Sequence, residues 1–108
     1  MIDHEATARS AAELLAPARA RLDQIDEEVL DLLAERMRVC LAVADLKADH
    51  DIPMMQPGRV SHVLKRAEER ARSTGLDPHY LTGVYRRVID ATCAAEDVRI
   101  AERTGESA

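Results

Sequence analysis

The sequence predicts an all-α protein of three helices, one of them very long, paired into an intertwined homodimer. Three observations point there. Between Leu15 and Lys47 apolar residues recur at steps of three and four, the spacing of one helix face. Two further helical patterns follow, each opened or closed by Pro and Gly signals. The first helix is also too long for its own chain. About 33 residues at about 1.5 Å each make a helix near 50 Å. A chain of this size folds to a radius of gyration of only about 13 Å. A seam of that length needs a second copy to cover it.

Composition narrows the function classes. The 108 residues are 46% hydrophobic with four Gly and four Pro, which suits one folded helical domain. With two Tyr and neither Trp nor Phe, there is no aromatic platform on which bases could stack. A net charge of −5 disfavours nonspecific binding to nucleic acid or to an acidic membrane surface, so neither is an expected partner. No run approaches the roughly 20 apolar residues of a membrane span, and Met1–Ser10 is too polar for a signal peptide. Cys40 and Cys93 stand apart without metal-ligand spacing, and both read as reduced core residues. The expectation is a cytoplasmic protein.

Residues 1–12 read as a flexible lead-in, 13–102 as the helical domain and 103–108 as a disordered tail. The firm first helix is expected to start near Pro17, which is tolerated in a first turn. Leu15, Ala18, Leu22, Ile25, Val29, Leu32, Val39, Val43 and Leu46 form its stripe, and Arg36 occupies the position between Leu32 and Val39. Lys47 returns to within about 20° of Arg36 after three turns. An arginine there can snorkel past the helix edge. Two cations on an inward face otherwise call for an anionic ligand or buried acids.

Asp49–Gly58 reads as a loop, because two prolines and a glycine interrupt the helical pattern. Its Ile52, Met54 and Met55 are apolar enough that part of it should fold back over the protein. A second helix follows from about Arg59 to Thr74, with Val60, Val63, Leu64, Ala67 and Ala71 inward and Gly75 at C′. The mixed charges from Lys65 to Arg72 read as a solvated face. Asp77 and Pro78 form an N-cap and N1 pair that opens the third helix. On its apolar stripe Thr92 and Glu96 lie one turn apart. The sequence holds no Ser/His/Asp set, glycine-rich phosphate loop or metal cluster, and no cofactor is expected.

These spacings resemble the all-α class of chorismate mutases. The residues that carry the resemblance are ARARLDQIDEEVLDLLAERMRV from Ala18, LK at 46 and 47, PMMQPGRV at 53–60 and GLDPHYL at 75–81. Arg19, Arg36, Lys47, Arg59, Thr92 and Glu96 then fall on the family's substrate-binding positions without a gap. The resemblance implies an intertwined homodimer with two equivalent sites, each taking Arg19 from the other chain. Helix geometry agrees with that. Arg19 stands about 25 Å along the helix from Arg36 and about 100° around it.

The implied reaction is a Claisen-type rearrangement of an enolpyruvyl ether, which needs no nucleophile and no cofactor. Such an enzyme holds a small dianion in a compact chair and stabilises charge on the ether oxygen as the C–O bond breaks. By correspondence Arg19 and Arg36 clamp the carboxylates, Arg59 adds a cation, Thr92 is a nearby hydrogen bonder, and Lys47 and Glu96 reach the ether oxygen. Two positions depart from the common pattern. Val60 stands where a glutamate often bonds the C4 hydroxyl, and Gln56 stands where an aspartate is common.

The MMQPGRV loop and CAAED at 93–97 look specifically like 4-amino-4-deoxychorismate mutases, which serve antibiotic pathways to p-aminophenylalanine units. That substrate is the first expectation. Chorismate itself is the second and isochorismate pyruvate lyase activity the third. The rival from another class is a noncatalytic helical dimer in which inward Lys47 and Glu96 form a buried pair.

Overall fold

The computed structural model describes residues 4–53 and 57–105. Three helices make up its regular structure: α1 (His4–Asp49), α2 (Pro57–Thr74) and α3 (Pro78–Thr104). No strand occurs among the described residues. The chain divides into two units, Met1–Arg36 and Met37–Ala108. None of the helices among the described residues is long and apolar enough to cross a membrane.

The first unit is helical from His4 onward, and Pro17 lies inside the helix. The expected start near Pro17 is therefore too late. A proline inside a helix removes one hydrogen bond and costs about 3 kcal/mol. The stretch before it, SAAELLA, consists almost wholly of strong helix formers, which lets the helix run through the interruption. Every residue from Ser10 to Glu35 is exposed, including the predicted seam. Leu22 is 55% exposed and Leu32 62%.

The second unit holds the buried residues. Its core is small: Ala44 of α1 and Ala71 of α2 are fully buried, and Ala67 nearly so. Helix α2 packs against α3. The inward set read from the sequence is the set that turns in, with Val60, Val63 and Leu64 half-buried beside those two alanines of α2.

Local chemistry sets the helix ends. Helix α2 stops in a Schellman motif: Gly75 has φ 74°, the Leu76 N–H donates to the Ala71 carbonyl at 2.8 Å, and the Gly75 N–H donates to Arg72 at 3.3 Å. Helix α3 opens with Asp77 accepting the His79 N–H at 2.9 Å and Pro78 following it, as expected from the sequence. It closes at Gly105, whose N–H donates to the Ala101 carbonyl. The helix thus outlasts its expected end at 102, and Arg103 is paired with Asp45 and Asp49 of α1. Residues 106–108 lie outside the described residues.

The end of α1 uses the same motif without a glycine. Asp51 takes φ 53°, and the Ile52 N–H donates to the Lys47 carbonyl at 2.9 Å. A short polar side chain tolerates this left-handed conformation better than most. Ile52 is 46% exposed; Met54 and Met55, the rest of the apolar part of this loop, lie outside the described residues.

Candidate active site

Within the second unit, Lys47 and Glu96 meet. Lys47 Nζ lies 3.6 Å from Glu96 Oε2, and the two side chains are 16% and 10% exposed. Each is placed by helix geometry. Lys47 stands in the last turn of α1, where a cation is favoured by the helix dipole, and its carbonyl is held by the 6→1 bond from Ile52. Glu96 stands one turn beyond Thr92 on the buried stripe of α3. Glu96 Oε2 is buried and has no hydrogen-bond partner among the described residues. A buried carboxylate oxygen left in that state is costly unless something charged or polar faces it.

Thr92 is buried, and its hydroxyl donates to the Val88 carbonyl at 2.7 Å. Its single proton is thereby committed to its own helix, so toward a carboxylate it must rotate before it can donate. Val60 is half-buried on the first turns of α2, and Arg59 beside it is exposed. Gln56 lies outside the described residues. Arg19 and Arg36 belong to the first unit, the former exposed and the latter half-buried.

Cys93 is half-buried next to Thr92. Burial pushes its thiol up, and the carboxylates of Glu96, Asp97 and Asp90 add to that in this order, while Lys47 pulls it down. The two members of the Lys47–Glu96 pair thus act on this thiol in opposite directions. Cys40 is half-buried.

Reading the sequence missed one cluster in this unit. Asp45 and Asp49 on α1 face Arg99 and Arg103 on α3. The available signal was a pair of acids and a pair of arginines, each spaced by one helical turn. Only the tertiary structure shows that they meet.

The described residues thus bring a largely buried ammonium and a carboxylate within 3.6 Å of each other. The family model of chorismate mutase type II matches residues 18–97, which span Arg19, Arg36, Lys47, Arg59, Val60, Thr92 and Glu96. The chain belongs to the type II chorismate mutase family. It is an isomerase with chorismate mutase activity. The 4-amino-4-deoxychorismate mutase of Streptomyces pristinaespiralis is 39% identical over 92 residues, covering 85% of this chain and 71% of the relative. The enzyme of the same name from Streptomyces venezuelae is 41% identical over 80 residues, covering 74% of this chain and 78% of the relative. A secreted chorismate mutase of Mycobacterium tuberculosis is 38% identical over 90 residues, with 82% of this chain and 45% of the relative covered. As a chorismate mutase, the chain has a small dianion as its substrate class.

Proposed function

We propose that this chorismate mutase acts on 4-amino-4-deoxychorismate, converting it to 4-amino-4-deoxyprephenate, as a homodimer with two shared sites. The observation that carries the choice of substrate is Val60, which puts an apolar side chain where the family commonly has a glutamate for the C4 hydroxyl. The two Streptomyces relatives named for the amino substrate support it.

In this reading Arg36 and the Arg19 of a second copy hold the two carboxylates, and Arg59 adds a third cation. Clamping both ends of the dianion converts much of the barrier into prepaid positioning. Lys47 and Glu96 meet the ether oxygen as the C–O bond lengthens. The ammonium of Lys47 stabilises the growing negative charge. Glu96 helps only as the acid, because an ionised carboxylate accepts hydrogen bonds and repels that charge. Thr92 lies beside them as an adjustable hydrogen bonder, and Val60 borders the C4 substituent.

The test is parallel turnover of 4-amino-4-deoxychorismate, chorismate and isochorismate by the purified chain. A higher kcat/KM for the amino substrate supports the reading. A preference for chorismate supports the second reading, to which the Mycobacterium tuberculosis relative lends weight. Pyruvate released from isochorismate would refute both.

A further inference from the structure

The Asp45, Asp49, Arg99 and Arg103 cluster has no part in the chemistry described so far. Arg99 Nε lies 3.9 Å and Arg103 Nη1 3.6 Å from Asp45 Oδ1, while Arg103 Nη2 bonds Asp49 Oδ1. Exposed ion pairs usually contribute little. This one differs in a single atom: Asp45 Oδ1 is buried and has no hydrogen-bond partner among the described residues. The two guanidiniums supply the compensating charge, so α3 must sit where both can reach it.

The placement of these charges around α1 matters more than their number. Taking about 100° per residue, the fully buried Ala44 lies about 100° from Asp45, and Lys47 about 60° further round in the same sense. Asp49 falls on the far side of Asp45 by about 40°. The buried line through Ala44 therefore has Lys47 on one flank and both aspartates on the other. On α3 the partners Glu96, Arg99 and Arg103 share a face within about 60°. Rolling α1 in either direction lengthens the contacts on one flank.

We propose that Asp45, Asp49, Arg99 and Arg103 are positioning residues that fix the rotation of α1 against α3 and so hold Lys47 opposite Glu96. The proposal rests on the reading of Lys47 and Glu96 as the pair that meets the reacting oxygen. A roll of about 10° moves a group at the helix perimeter by about 1 Å. Misplacement of that size costs up to about 10²-fold in rate.

The test uses the 108-residue chain and the better of the two mutase substrates. Arg103→Gln should lower kcat about tenfold while KM stays within about twofold, and Arg103→Lys should recover most of the loss. A wild-type kcat in Arg103→Gln overturns the proposal, and so does a Lys variant no better than the Gln one. If Arg103→Gln fails to fold by circular dichroism, Asp49→Asn carries the same measurement. A kcat about threefold lower supports the proposal, and an unchanged one overturns it. Lys47→Ala is measured alongside. If it loses turnover while Arg103→Gln keeps it, the positioning role alone falls. If Lys47→Ala keeps the wild-type kcat, the reading of the site falls and takes this proposal with it.

Discussion

The two units carry the same apolar spacing on the same helix to opposite outcomes. From Ser10 to Glu35 every residue is exposed, leucines and valines included. Past Arg36 the helix reaches Ala44, which is fully buried, and Lys47, which meets Glu96 of α3. The difference teaches that periodicity states which face has to be covered and not what covers it. In the second unit the cover belongs to the chain. In the first, we propose that a second copy supplies it, and the predictions below are ways to break that contrast, from the largest effect down.

Charge placed on the bare stripe should break it outright. Leu22→Asp removes one apolar side chain from each copy across a two-fold interface, so its effect counts twice. At about 2 kcal/mol per side chain the loss is about 4 kcal/mol, or about a thousandfold in the dimer Kd. Sedimentation should show monomers at micromolar concentration, with activity lost although Lys47 and Glu96 are untouched. A Leu22→Asp dimer of normal activity would show that the exposed stripe is not an interface.

The pair at the covered end is sharpened by removing the donor. Glu96→Ala should lower kcat about 10²- to 10³-fold, the usual effect of deleting one transition-state donor. Glu96→Gln should keep most of the activity, because an amide donates at every pH. If instead Glu96→Ala keeps the wild-type kcat and only lowers the melting temperature, Glu96 is a structural partner of Lys47.

How much of this was legible in the sequence follows from range. The Asp77–Pro78 start and the Gly75 stop of the neighbouring helices are local chemistry, and both stand where the sequence puts them. Pro17 misled because its effect depends on the helix strength of the residues before it. The left-handed Asp51 was hidden because aspartate takes that conformation only where the end of a helix demands it. Lys47 and Glu96 were visible as charges on apolar stripes. Asp45, Arg99 and Arg103 were not, since each looks like an ordinary solvated charge until α1 and α3 are brought together. Arg19 is exposed in the first unit, and nothing within its own helix marks it as a site residue.

A smaller effect concerns substrate choice at α2. Val60→Glu should move the ratio of kcat/KM toward chorismate by about tenfold, the scale of one hydrogen bond to a hydroxyl. An unchanged ratio would remove Val60 from the specificity argument.

The smallest effect reads the electrostatics of the covered end. Because the Cys93 thiol is raised by burial first and by Glu96 next, less of it is thiolate at a given pH than in the unfolded chain. In a Cys40→Ser background, alkylation at mildly alkaline pH should be slower in the folded protein than in urea. Glu96→Gln should speed it and Lys47→Ala should slow it. Equal rates in all three folded proteins would mean that neither charge acts on the thiol.

The most direct test of the shared site mixes two defective chains. Arg19→Ala and Lys47→Ala homodimers should each be inactive. After subunit exchange, a heterodimer can assemble one site in which neither substitution occurs, since Arg19 comes from one copy and Lys47 from the other. The account predicts that activity returns on mixing, toward a quarter of the wild-type value at full exchange, because about half of the dimers are mixed and each holds one intact site of two. Mixtures that stay inactive after exchange has been verified would contradict it.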